Sequence, residues 1–279
     1  MCRWLAYSGN PIPLSRLIFD TRYSLIDQSI SARQSDRTTN GDGFGVGWYD
    51  DLDEPGMYKD IQPAWNDDNL YDICRHVSSP LFLAHVRATT GTAVQQTNCH
   101  PFRHGRWLMV HNGAIEGLES IRWDLVAELG RAWYPHLKGT TDSEILFYLC
   151  LMYGLDDDPQ GAVSRMVGLV ERLGRDAGVE FPMQMTLGLS DGERLYAVRY
   201  STEGISRTLY HSEDMAALRR LLPPEEADAL DEFSDESRAV VSEPLGHEIP
   251  HMWQEIPEAT FAVVGGGELE ERPFVVARV

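Results

Sequence analysis

The sequence predicts an α+β fold built on antiparallel sheets, and three observations carry that prediction. Residues 183–189 and 194–199 are two β-prone runs joined by Ser190-Asp191-Gly192-Glu193, a hairpin signature. Helical patterns at 118–129, 142–153 and 159–176 succeed one another without the strand–helix–strand rhythm of a doubly wound sheet. Short strand-like runs then recur at 208–211, 238–242, 260–264 and 273–277.

Taken in order, residues 4–7 form an apolar strand that starts almost at the first residue. Residues 14–19 suggest a short helix after two prolines, and 28–42 are polar and loop-like. Residues 41–49 alternate glycines with large apolar residues, the pattern of a strand approached closely by another backbone. A helix is expected over 65–77 and strands over 81–87 and 107–112, with Asn112-Gly113 as a tight turn. Helices follow at 118–129, from Asp142 to about residue 153, and at 159–176. No internal repeat or long linker interrupts the chain, so one domain over 1–279 is expected, with residues from about 200 onward completing it.

Composition excludes several function classes. The formal net charge is −19, which disfavours nucleic-acid backbones, whose binding needs Lys and Arg. Much of the acidity lies in 213–243 and reads as a solvated helical face with its loops. No apolar run approaches the ~18 residues of a membrane span, and no basic segment followed by an apolar run marks a signal peptide. The four cysteines form no CxxC, so a cytoplasmic compartment with reduced thiols is expected. Cys74 and Cys150 lie in apolar helical runs and read as core. The glycines of 41–47 match neither GxxxxGK[ST] nor a strand–GxGxxG–helix, so nucleotide binding is rejected.

Cys2 is the most informative residue. A small second residue permits removal of Met1, after which one residue carries both a thiol and a free α-amine. An α-amine titrates near ~8 and a thiol near ~8.5, so the first can serve as base for the second near neutrality. Position alone proves little, since most second-position cysteines are chance. Three further segments place polar groups at strand ends or turns: Ala84-His85-Val86-Arg87-Ala88-Thr89-Thr90-Gly91, the pair Asn98-Cys99-His100-Pro101-Phe102 and Val110-His111-Asn112-Gly113-Ala114-Ile115, and Gly139-Thr140-Thr141-Asp142-Ser143-Glu144.

In this order the pieces resemble the class II glutamine amidotransferases: an N-terminal Cys, HxR with Thr close behind, NxHPF, HNGxI and TDSE. The match is tight over about residues 1–150. Ser242-Glu243-Pro244-Leu245, Trp253 and Ile256-Pro257 more loosely resemble the closing strands of the family's stand-alone branch, which includes the ergothioneine-pathway γ-glutamyl amidohydrolases. Asn40-Gly41-Asp42-Gly43-Phe44-Gly45 stands where synthetase-fused members tend to carry R-G-x-D-S-x-G, which again resembles the stand-alone branch.

The resemblance implies a four-layer α/β/β/α sandwich and hydrolysis of the γ-amide of glutamine or a γ-glutamyl compound through a thioester on Cys2. It implies Asn112 and Gly113 as the oxyanion hole, Arg87 with Thr90 on the substrate α-carboxylate, and Asp142 on its α-ammonium. Each has a blander reading: a structural ion pair for Arg87, a helix cap for Thr141 or Asp142, a plain turn for Asn112-Gly113. His85, His100 and His111 match no compact metal motif; they are expected to orient loops by hydrogen bonding, and no metal or cofactor is assigned. Cys99 reads as a partly buried neighbour of the site. An ammonia-accepting synthetase on a separate chain is an expected partner if ammonia is the product. The other reading is a non-catalytic glutamine-sensing module, which would have no use for a nucleophile at position 2.

Overall fold

A computed structural model of the protein describes residues 2–34, 39–89, 91–221, 230–246 and 252–279. In chain order the first half comprises β1 (Arg3–Pro13), α1 (Ser15–Ile18), α2 (Leu25–Ile30), β2 (Phe44–Trp48), β3 (Gly56–Asp60), α3 (Asp68–His76), β4 (Ser78–Val86), β5 (Phe102–His104) and β6 (Trp107–Ile115). Then come α4 (Leu118–Trp133), α5 (Asp142–Met152), α6 (Pro159–Asp176), β7 (Met183–Ser190), β8 (Leu195–Ser201), β9 (Tyr210–Ser212), α7 (Met215–Leu221), β10 (Arg238–Val241), β11 (Trp253–Glu255), β12 (Thr260–Gly265) and β13 (Glu268–Pro273).

Strand alternation builds the layers. One sheet runs β11-β9-β10-β1-β4-β2-β3 and the other β13-β12-β8-β7-β6-β5, all pairs antiparallel. On β1, Trp4 and Ala6 join Leu83, Leu108, Val110 and Ala197 in a core contributed by both sheets. Leu5 and Tyr7 point the other way, into a core shared with α1, α2 and α3. Met109 of β6 and Leu187 of β7 likewise turn away from the sheet interface and pack under α4, α5 and α6. Two helical layers therefore flank two stacked antiparallel sheets, the four-layer α/β/β/α sandwich expected.

Several local expectations are corrected. Asn112-Gly113 is not a turn: β6 runs through it, with Asn112 opposite Thr186 and Gly113 opposite Met185 of β7. Glycine is needed at 113 for close approach, since a Cβ there would lie 2.1 Å from the Gln184 carbonyl oxygen. Helix α2 occupies part of the expected loop 28–42, closed by a capping box between Ser24 and Asp27. The expected strand 273–277 gives way to β13, a charged edge strand that ends at Pro273. The expected helix end at 129 coincides with Gly130, whose φ of 62° breaks α4 before a last turn to Trp133. Within the acidic stretch, Asp214, Glu232 and Asp235 are not merely solvated: they pair with Arg238, Arg16 and Arg219. Glu225, Glu226 and Asp228 lie outside the described residues. Cys74 and Cys150 are core residues, as expected.

Candidate active site

The alternation that buries Trp4 between the sheets sends Cys2 the same way, to the mouth of the crevice. Its thiol is half-buried and sits against the backbone just past β4, accepting from the Ala88 N–H at 3.4 Å and lying 3.6 Å from the Ala88 carbonyl oxygen. Burial pushes this thiol above the usual range, against the opposing pull of the Ala88 N–H, Arg87 and Arg207. The group is therefore a protonated thiol at neutral pH and needs a base to attack.

The next residue faces the opposite layer. Arg3 donates through Nε to Glu243 Oε2 at 2.9 Å and through Nη1 to the Cys2 carbonyl at 2.9 Å. Glu243 also accepts from the Tyr23 hydroxyl and, at 2.9 Å, from the Arg33 N–H. A buried, multiply hydrogen-bonded carboxylate thus fixes the head of β1 from behind.

Across the crevice, Asn112 lies on the β6 face that carries Leu108 and Val110 into the inter-sheet core. The Trp4 indole N–H donates to Thr186 Oγ1 at 3.1 Å, and the Thr186 hydroxyl donates to the Asn112 carbonyl at 3.3 Å. This bridge ties the Cys2 strand to the Asn112 strand. Among the described residues nothing hydrogen-bonds to the Asn112 side-chain amide, which stays available to a ligand. Sequence reasoning missed Thr186, which shares its strand phase with Gln184, Gly188 and Ser190 and belongs to no motif.

Asp142 is the first residue of α5, and Thr141 is the cap, its hydroxyl accepting from the Glu144 N–H at 3.2 Å. Asp142 Oδ2 accepts from the Ile115 N–H at 3.1 Å, which holds the carboxylate at the end of β6 within electrostatic reach of His111. Arg87 is more committed than expected. Its guanidinium donates to the Asp42 carbonyl, to Thr89 Oγ1, to Thr92 Oγ1 at 2.6 Å and to the Ala93 carbonyl. It shapes the loop after β4, while its Nε–H has no partner among the described residues. Thr90 lies outside the described residues. Asp42 supports the same loop, accepting from the Thr89 N–H at 2.8 Å.

The three histidines are fully enclosed, and His111 hydrogen-bonds through Nδ1 to Ser143 Oγ at 2.8 Å. His85 and His100 meet at a tilt, with ring centroids 4.1 Å apart, and His100 has no hydrogen-bond partner among the described residues, so the loop-orienting expectation fails for His100. Burial pulls His85 down to about 3 and lowers His100 and His111. They are a neutral packing cluster behind the site. Cys99 is fully buried, its sulfur 3.4 Å from the Asp60 carbonyl oxygen, not partly exposed as expected. A cavity of about 370 Å³ bounded by Tyr7, Leu17, Met215, Phe233 and Trp253 opens on the helix-facing side of β1, away from the Cys2 face.

Four layers around two antiparallel sheets, with a cysteine heading an inner strand, define the N-terminal-nucleophile amidohydrolase fold, a class of enzymes. Within it the chain belongs to the class-II glutamine amidotransferases, whose family model matches residues 16–272. The glutamine aminotransferase class-II domain protein from Silicibacter pomeroyi superposes with a TM-score of 0.75 at 34% identity, covering 99% of this chain and 100% of that one. The probable glutamine amidotransferase DUG3 of Saccharomyces cerevisiae is 39% identical over 160 residues, 54% of this chain but only 45% of the relative. The gamma-glutamyl-hercynylcysteine sulfoxide hydrolase of Mycolicibacterium smegmatis is 29% identical over 220 residues, 78% of this chain and 86% of that protein. No described helix is long and apolar enough to cross a membrane.

Proposed function

We propose that the protein cleaves the γ-amide of glutamine or of a γ-glutamyl compound through a γ-glutamyl thioester on Cys2. The supporting observation is the half-buried Cys2 thiol in the crevice, tied by Trp4 and Thr186 to a buried asparagine whose amide is unengaged. Removal of Met1 leaves the Cys2 α-amine as base. The amine takes the thiol proton as sulfur bonds to the γ-carbon. The Asn112 side-chain NH₂ and Gly113 N–H bind the oxyanion, the C–N bond breaks, and the proton passes to the leaving nitrogen. Water then hydrolyses the thioester and returns the thiol.

Asp142 holds the substrate ammonium, and Arg87 with Thr90 holds its carboxylate. Arg87 does this through the loop it already shapes. The leaving group is ammonia, passed to a synthetase on a separate chain, or a larger amine. The likeness to a γ-glutamyl-compound hydrolase over most of both chains favours the amine. Intact-protein mass spectrometry before and after a thiol-reactive glutamine analogue is the test. The expected spectrum lacks Met1 and gains one adduct on Cys2. Retained Met1 in active protein, or full activity in Cys2→Ala, removes the mechanism.

A further inference from the structure

Arg207 matches none of the motifs above, yet its charge acts on the Cys2 thiol. It sits in the connection between β8 and β9, which is pinned against the head of β1. The Thr208 hydroxyl donates to the Ser242 carbonyl at 2.9 Å. Ser242 in turn exchanges hydrogen bonds with Trp4, its N–H donating to the Trp4 carbonyl at 2.9 Å and its hydroxyl accepting from the Trp4 N–H at 3.1 Å. The Leu209 carbonyl accepts from Ile256 at 2.8 Å, so the segment is held on both sides of the sheet edge. Arg207 is thereby brought into electrostatic reach of the Cys2 thiol, Arg3 and His111.

With 43 acidic residues against 24 basic ones, most buried or half-buried arginines here find a carboxylate: Arg3 has Glu243, Arg199 has Glu255 and Glu258, and Arg238 has Asp214. Arg207 pairs with no carboxylate among the described residues, and its buried Nε has no hydrogen-bond partner there. Burying an uncompensated guanidinium costs stability, which an anionic ligand would offset.

Its position says which part of a substrate that ligand belongs to. In the sheet, β1 lies between β4 and β10. Arg87 and the thiol-contacting Ala88 follow β4, while Arg207 arrives over the β10 flank through Thr208 and Ser242. If the glutamyl carboxylate occupies the Arg87 side of Cys2, the other half of the amide leaves toward Arg207.

We propose that Arg207 is a specificity-determining residue that binds a carboxylate carried by the leaving amine, so that the preferred substrate is a γ-glutamyl amino acid or peptide in place of free glutamine. The inference rests on the glutamyl-side placement given under Proposed function, and it is tested in a form that does not need turnover. Calorimetry on Cys2→Ala protein compares γ-glutamylglycine with γ-glutamylglycinamide, which differ only in carboxylate against carboxamide. The carboxylate ligand is expected to bind roughly tenfold tighter or more, the scale of a charge-assisted contact. In Cys2→Ala/Arg207→Gln the ratio of the two Kd values collapses toward one; Arg207→Lys, which keeps the charge without the fork, gives an intermediate ratio and serves if the Gln variant does not fold. Equal Kd values in the parent, a ratio that persists in Arg207→Gln, or binding of neither peptide overturns the proposal. Failure of the thioester mechanism shows elsewhere, as absence of Cys2 labelling in a protein whose ligand selectivity is intact.

Discussion

Replacing Thr186 by valine removes one oxygen and keeps the branched shape. That oxygen is the middle of the bridge from Trp4 Nε1, at 3.1 Å, to the Asn112 carbonyl, at 3.3 Å. Trp4 and Thr186 are fully buried, so no water replaces the lost acceptor. The indole N–H is left unsatisfied, a cost of about 1–3 kcal/mol. For a chain of this size each kcal/mol lowers Tm by roughly 2–4 °C. The bridge also sets the distance between the Cys2 and Asn112 strands, and a misplacement of about 1 Å can cost ~10²-fold in rate. The assay is a double-mutant cycle with Trp4→Phe, which removes the donor. Once the indole donor is gone, Thr186→Val no longer orphans it and costs only the Asn112 contact, so the two stability changes are expected to be non-additive by at least ~0.5 kcal/mol. Strict additivity, or a Thr186→Val protein with unaltered Tm and unaltered turnover, would refute the bridge.

Other consequences can be measured separately. Glu243→Gln breaks a buried pair holding Arg3 and is expected to cost about 3 kcal/mol or more in urea unfolding; a loss below ~1 kcal/mol would place the pair with solvent-exposed bridges. Gly113→Ala drives a Cβ into the Gln184 carbonyl, so β6 and β7 must part, with a stability loss of roughly 1–3 kcal/mol and loss of amide hydrolysis; a variant with native stability contradicts the packing. Because burial raises the Cys2 thiol, its alkylation by iodoacetamide is expected to keep rising beyond the ~8.5 of a free thiol, and a plateau below neutrality would show a preformed thiolate. His85 is held neutral when folded but protonates near ~6.5 when unfolded, so the unfolded chain binds the extra proton as pH falls. Stability is therefore full above that value and drops by about 1.4 kcal/mol per pH unit on the way down toward 3 from His85 alone, which urea titrations at stepped pH would reveal.

The layer architecture and most strands were legible because alternation and hairpin chemistry are local. The helices α5 and α6 were equally plain, being capped by Thr141 and Asp158. Asn112-Gly113 was misread because the same dipeptide that favours a turn also suits a strand needing a side-chain-free approach, and only the Gln184 backbone across the ladder decides between them. Helix α2 escaped because it is only six residues long and its box uses Asp27 where Glu or Gln is usual. Cys2, Asn112, Gly113 and Asp142 were singled out by motifs, and the Trp4–Thr186–Asn112 bridge and the Asp142–Ile115 contact link the elements that carry them. Thr186 and Arg207 were not, because each acts through partners more than 70 residues away in sequence, and neither has a local pattern to betray it.

The first residues of a chain usually fray, exchanging their amide hydrogens within the dead time of a measurement. The Arg3–Glu243 tie reverses that order. Trp4 is paired with His85 on one side and Ser242 on the other, so its amide can open only when β1 leaves the sheet. The slowest-exchanging protons of the protein should therefore include ones two residues from Cys2. A strand so held cannot slip by one residue, a shift that would send the arginine into the crevice and the cysteine out among the helices.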